Sequence, residues 1–252
     1  MNLCFVTSST VPFDVMWNRV AAWATGGGPY CHVECAFEGI TLQRLRALRD
    51  VLVTSGQLPS TLQRARDAVS AVLEAFPPNA PGNHTVTLAF HALAGSPLGV
   101  RVLSPRSNDV LYQPYSKAWR IYRLEGAPRA AVQAQLVWSF TKVGLPYDTM
   151  GALTSPWRSK CVHGGGSPDP DQWFCSNLAL RFCQNLNMLG HLSLAGTTPN
   201  SLELALHQYI KGDARPDDDG GTIPLTFDAE HWSLVASVAP YIVRADLGGL
   251  LE

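Results

Sequence analysis

Apolar and polar positions alternate at the start of the chain and again near its middle, and helical spacing fills most of what lies between and after. LCFVTSS at 3–9 reads as a strand running into a loop, and YCHVECAF at 30–37 as a short β-prone run ending at Glu38-Gly39. The stretch VPFDVMWNRVAAWATGGG, 11–28, spaces its apolar residues as a helix does and stops at a triple glycine. No Gly-Lys-Ser/Thr follows those glycines, so they predict a turn and not a phosphate loop. From 41 to 77 two helical patterns, TLQRLRALRDVLV and STLQRARDAVSAVLEAF, predict a helical hairpin inserted at about 41–82, the second helix opening with a Ser60/Gln63 capping box. Pro77, Pro78 and Pro81 then break the chain before three strand candidates, HTVTLAFHA (84–92), GVRVLS (99–104) and AWRIYRLE (118–125).

A helix follows over 127–143, with Leu136, Phe140 and Val143 on one side. Residues 151–172, rich in Gly, Pro, Ser and Asp, read as a loop, and Cys175 opens a further helical pattern, CSNLALRFCQNLNML. Thr198-Pro199 reads as an N-cap followed by proline in the first helical position. DARPDDDGG at 213–221 is a solvated acidic linker by composition, and the tail after it is apolar enough to dock on the body or on a partner protein. The sum is an α+β domain over 1–212, with a central sheet and helices before and after it, followed by linker and tail over 213–252.

Composition narrows the function classes. With 252 residues, a net charge of −1 and 46% hydrophobic content, the chain has no run of basic residues and lacks the electrostatic footprint of a nucleic-acid binder. Its N-terminus carries no basic segment before the apolar residues, and no uncharged apolar run approaches the roughly 18 residues of a membrane helix, so neither secretion nor a membrane span is expected. Six cysteines scattered along a chain this long do not form a disulfide scaffold, which points to a reducing, cytoplasmic compartment. The glycosylation pattern at Asn83-His84-Thr85 carries no weight in such a compartment.

Candidate chemistry begins in YCHVECAF. Strand alternation puts Cys31, Val33 and Cys35 on one face and His32 and Glu34 on the other. The two thiols then pack as small hydrophobes, and a zinc site from Cys31, His32 and Cys35 fails because its ligands point in opposite directions. His32 and Glu34 share a face, where a carboxylate can hold the imidazole's tautomer and favour its charged form, although such a pair is also a common structural one. A thiol elsewhere would make it chemical. Cys175 follows the loop-like GGGSPDPDQWF and starts a helix, whose N-terminal N–H groups and dipole stabilise a thiolate. It shares a stripe with Leu178, Phe182 and Leu186, which also allows it to be a plain core residue, as Cys183 is expected to be.

The blocks LCFVTSS, PYCHVECAFEG, AWRIYRLEG, GLPYDTMGAL, WFCSNLALRFC and TTPNSLELAL, in that order, resemble the circularly permuted branch of the NlpC-type papain-like superfamily. That branch includes lecithin retinol acyltransferase-like proteins, bacterial cell-wall amidase-like proteins and some poxvirus proteins. The resemblance implies a permuted papain-like fold, a central antiparallel sheet packed against helices. It implies Cys175 as nucleophile, His32 as general base and Tyr147 as a group that helps bind the oxyanion. The third polar member is expected at Glu34, with Glu38 and Gln43 in reserve. Cys175-Ser176-Asn177 departs from the Cys-Ser-Glu frequent in permuted relatives.

The implied activity is a cysteine peptidase, amidase or acyltransferase acting on a peptide or lipid acyl group through a thioester, with no metal or organic cofactor. The alternative is a papain-like binding or structural module whose chemistry is idle. Trp173, two residues before Cys175, is expected to wall a substrate groove, and Trp17, Trp23 and Trp119 to anchor the core. His84 and His91 fall on opposite faces of a strand, and Cys161 and His163 lie in a loop, so none completes a metal site.

Overall fold

The computed structural model describes residues 1–7, 28–54, 58–103, 119–125, 127, 129–158, 171–190, 192–209 and 222–224. Residues 11–27 of the helix predicted at 11–28, among them Trp17 and Trp23, lie outside the described residues, as do Cys161, His163 and the acidic linker. Among the described residues six strands form one sheet: β1 (Asn2–Thr7), β2 (Tyr30–Thr41), β3 (Thr85–His91), β4 (Gly99–Leu103), β5 (Trp119–Glu125) and β6 (Thr222–Pro224). Their order across the sheet is β4-β3-β2-β1-β5-β6. The first five pair antiparallel, while β6, from the start of the predicted tail, adds in parallel beside β5. The helices are α1 (Leu42–Thr54), α2 (Ser60–Glu74), α3 (Arg129–Lys142), α4 (Thr149–Arg158), α5 (Cys175–Gln184) and α6 (Pro199–Tyr209). The architecture is the mixed helix-and-sheet class that the pattern predicts.

Alternation in the strands explains the layering. Leu3 and Phe5, Val33, Cys35 and Phe37, Leu88 and Phe90, and Tyr122 and Leu124 all point into one core against the helices. Phe37 sits at its centre, edge-on to both Phe90 and Phe182. The opposite face carries a small second cluster of Cys4, Ala36 and Ile121. The α1–α2 hairpin is no appendage, because Leu42, Leu45, Leu48, Leu52, Leu62 and Val69 belong to the same core as the sheet. Helix α3 is buried on every side from Gln133 to Thr141, well beyond the single stripe expected from Leu136, Phe140 and Val143. A helix enclosed all round is a central element, and α3 lies against α2.

Several local expectations change. β2 does not end at Glu38-Gly39 but runs on to Thr41 through a register shift between Phe37 and Ile40, where Gly39 takes φ +68°. The glycine that resembles a stop supplies a bulge. Helix α2 starts from Pro59, with no side-chain cap, so the Ser60/Gln63 capping box does not form: Ser60 already lies inside the helix. Residues 151–158, read as loop from composition, belong to α4. Asp148 explains this, since its Oδ1 accepts a 2.6 Å hydrogen bond from the Gly151 N–H, a helix-initiating contact that outweighs the Gly/Pro/Ser content. His84 precedes β3 and packs its ring against Phe76. The Thr198 cap is as expected: Thr198 Oγ1 accepts from the Ser201 N–H at 3.1 Å, Ser201 Oγ accepts from the Thr198 N–H at 2.8 Å, and Pro199 fills the first helical position.

Candidate active site

Residues distant in sequence converge at the N-terminus of α5. Helix α5 packs on β2, with Leu178 and Phe182 from the predicted stripe buried in the core and Leu186, just past its end, beside them. That leaves Cys175, in the first turn, at the rim of the core with 7% exposure. Phe174 is the N-cap in extended conformation, and its N–H donates to Asn177 Oδ1 at 2.8 Å. Asn177 therefore performs the backward half of a capping box at N3. Ser176 donates its hydroxyl to the Thr197 carbonyl at 2.7 Å and ties the first turn of α5 to the segment that precedes α6. The end of α5 that carries the thiol is held from both sides.

His32 comes from a second irregularity in β2. The pairing with β1 passes from Val6–His32 to Thr7–Tyr30, so Cys31 is the extra residue of a bulge. Alternation fails there, which corrects the expected grouping: Cys31 packs with the Cys4–Ala36–Ile121 cluster, whereas Val33 and Cys35 stay in the main core. Adjacent to the bulge, Tyr30 is clasped by α6. Asn200 Oδ1 accepts from the Tyr30 N–H and Asn200 Nδ2 donates to the Tyr30 carbonyl, both at 2.9 Å. Gly28 faces the same amide so closely that any Cβ there would collide with it.

At this bend the His32 imidazole, 15% exposed, hydrogen-bonds both Glu34 and Cys175. Its Nε2 donates to Glu34 Oε1 at 3.1 Å, and that carboxylate is only 3% exposed. Burial alone would disfavour the imidazolium. The hydrogen bonds to Cys175 and Glu34, with the negative charge of both, overcome it and push His32 up to about 10. The ring thus lies between the Glu34 carboxylate and the Cys175 sulfur. Glu38 and Gln43, the reserve candidates, are exposed, whereas Glu34 is buried against His32.

Tyr147 and Trp173 meet through their backbones in a parallel bridge, with the Asp148 N–H donating to the Trp173 carbonyl at 3.0 Å and the Trp173 N–H to the Pro146 carbonyl at 3.3 Å. This fastens the GLPYD segment beside the entry to α5. Burial, followed by the charge of Cys175 and of Asp148, drives the Tyr147 phenol well above its usual range, so it remains a hydrogen-bond donor. Trp173 is 5% exposed, edge-on to Trp138 and covered by Lys142 Nζ at 4.9 Å. Its indole fills the core, and it is its main chain that borders Cys175.

Arg101 and His91 escape a reading from sequence alone. Arg101 Nη2 stands 3.7 Å from Glu34 Oε1, and His91 is the residue of β3 nearest this carboxylate's rung of the sheet. The only hint is a basic residue at an inner position of GVRVL. Among the described residues there is no cluster of three or more His, Cys, Asp or Glu arranged to hold a metal, and none of the five described cysteines is in a disulfide. No family model matches the chain, and no curated protein or solved structure matches it either.

Proposed function

We propose that the chain is a cysteine hydrolase or acyltransferase with a circularly permuted papain-like (NlpC-type) arrangement, in which Cys175 is the nucleophile, His32 the proton carrier and Glu34 its orienting carboxylate. One observation carries this reading: a single imidazole hydrogen-bonded to the thiol at a helix N-terminus and to a buried carboxylate. The helix N-terminus and the neighbouring imidazole both offer positive charge to the sulfur, which is the setting a cysteine nucleophile uses.

The thiolate attacks the acyl carbon of an amide, ester or thioester, and the carbonyl π pair moves onto oxygen. The N–H groups of the first turn of α5 and the Tyr147 hydroxyl supply hydrogen bonds to that oxyanion. On collapse, His32 passes its proton to the leaving amine, alcohol or thiol, leaving a Cys175 thioester. Water, deprotonated by the now neutral His32, releases the acid; an amine or alcohol in its place completes an acyl transfer. Glu34 keeps the ring oriented throughout, and the sequence of steps calls on no cofactor.

The test is a panel of peptide, lipid-ester and acyl-thioester substrates incubated with the protein and with Cys175→Ser, with intact mass read on a short time base. Turnover by the first protein, with an acyl adduct mapped to Cys175, is the expected result. A panel that leaves no adduct, with Cys175 no more reactive than the other thiols, would assign the fold to a binding or structural module. Tyr147→Phe should slow acylation by roughly tenfold or more while leaving alkylation of the thiol almost unchanged, because a small alkylating agent develops no oxyanion.

A further inference from the structure

We propose that Arg101 is a positioning residue of this site: it fixes and charge-balances the Glu34 carboxylate, and through it the His32–Cys175 pair. The inference rests on the proposed role of Cys175 and His32 and adds a fourth charge to it.

The sheet register shows how a residue two strands away reaches the site. Ala36 on β2 faces Ala89 on β3, and Ala89 faces Arg101 on β4, so the three share one rung and one face. Both intervening side chains are single methyl groups, and both are buried. They form a shallow trough across which a long side chain can lie back toward Glu34, two residues along β2 on the same face. Arg101 does so, placing Nη2 3.7 Å from the same oxygen, Oε1, that His32 engages. At that distance the contact is an ion pair of charge and orientation more than a short hydrogen bond.

Charge counting gives the contact its purpose. A carboxylate that is 3% exposed is expensive to keep ionised without cations around it. The titratable groups that feel the Glu34 charge are Cys4 on β1, His32 on β2, Cys35 from the opposite face of β2, His91 on β3 and Arg101 on β4. Burial keeps Cys4 and Cys35 as neutral thiols, and His91 is also neutral at ordinary pH. Two cations remain. With the Cys175 thiolate and the His32 imidazolium formed, Glu34 and Arg101 complete a chain of alternating charge, negative, positive, negative, positive, that sums to zero. Without Arg101 a buried site would hold one excess negative charge, and the carboxylate would be anchored from one side only.

The experiment is a double-mutant cycle. Second-order labelling of Cys175 by iodoacetamide is followed from pH 5 to 9 in the wild-type protein, Arg101→Met, Glu34→Gln and the double variant, with Arg101→Lys as the rescue. Arg101→Met is expected to move the acid limb of the profile to higher pH and slow labelling near neutrality by roughly tenfold. Arg101→Lys, which keeps the point charge, should restore most of the rate. In the Glu34→Gln protein, loss of Arg101 should bring no further slowing. Full additivity of the two substitutions, or an Arg101→Met profile superimposed on the wild type, would overturn the proposal. The same cycle read on the His32 imidazole titration by NMR needs no reactive thiol: there too Arg101→Met should displace the titration only while Glu34 is present. If Cys175 reacts no faster than an ordinary thiol while the NMR cycle is non-additive, the enzymatic reading fails and the Arg101 assignment stands.

Discussion

His32 and His91 are both largely buried, stand on adjacent strands and flank one carboxylate, yet the structure drives them to opposite charge states. His32 is pushed up to about 10, and His91 is pushed down to about 4. Burial opposes the charged form in both cases. What separates them is the hydrogen bond: His32 donates to Glu34 and contacts Cys175, whereas His91 meets burial first and the Arg101 cation second, and its Nδ1 has no hydrogen-bond partner among the described residues. Closeness to an anion is therefore insufficient in a dry site. Direct hydrogen bonding to the anion decides which of the two imidazoles is pushed towards its charged form.

The widest gap between the two rings is in acid stability. His91 is 8% exposed, and its folded value lies below the ordinary 6.5, so as pH falls the unfolded chain takes up the proton first. The stability linked to this group is complete above about pH 6.5 and drains away as pH drops through about 4, a loss on the order of 3 kcal/mol. Urea denaturation at pH 7 and pH 4 measures it. His91→Gln should show a clearly smaller difference between the two pH values, and an undiminished difference would remove His91 from the comparison.

Steric confinement of the same ring predicts the next effect. A Cβ on Gly99 would come within 2.5 Å of His91 Nε2 and 2.6 Å of Cε1, so the ring occupies the space where that side chain would start. Gly99→Ala must displace the imidazole or part β3 from β4, at about 2 kcal/mol, which a shift in thermal midpoint reads directly. Because the register aligns His91 with Gly99 and not with His32, labelling of Cys175 should remain within twofold of wild type.

His32→Ala acts on the other member of the pair. An ordinary thiol is only a few per cent ionised at neutral pH, so in the proposed mechanism loss of the imidazole leaves Cys175 to react as such a thiol, partly offset by the greater nucleophilicity of a more basic sulfur. Labelling of Cys175 at pH 7 should fall about tenfold while the rate at pH 9.5 approaches that of the intact protein. A variant equally reactive at pH 7 would place the source of thiol activation elsewhere than in His32.

The sequence carried much of this site, for reasons that can be named. Strand and helix periodicities located β1 to β5, the hairpin, α3, α5 and α6, because each buries one face and repeats its pattern along that face. The same periodicity put His32 beside Glu34 and left Cys175 at a helix start. It erred where one residue breaks the period. The bulge at Cys31 moves that thiol to the other side of the sheet, Gly39 prolongs a strand it should have ended, and Asp148 starts a helix in a segment of loop composition. Arg101 was illegible for a different reason: its partner lies across two strand pairings, and nothing local in GVRVL records that register.

Cys183 extends the contrast to sulfur and gives the smallest expected effect. It stands eight residues after Cys175 on the same helix, and burial alone pushes its thiol up to about 12. It repeats in a thiol what His91 shows in an imidazole: a desolvated group with no directly hydrogen-bonded counter-charge keeps its neutral form. Cys31, driven up to about 11 chiefly by burial, behaves alike although it lies next to His32 in the chain. The native protein at pH 7 should therefore take up alkylating agent at one of its five described cysteines. Cys183→Ala should alter neither the stoichiometry nor the rate by as much as twofold, with peptide mapping as the readout. Equal labelling of Cys183 and Cys175 would mean that position on the helix, and not the His32 contact, sets thiol reactivity, and the division between the two histidines would then carry no chemical meaning.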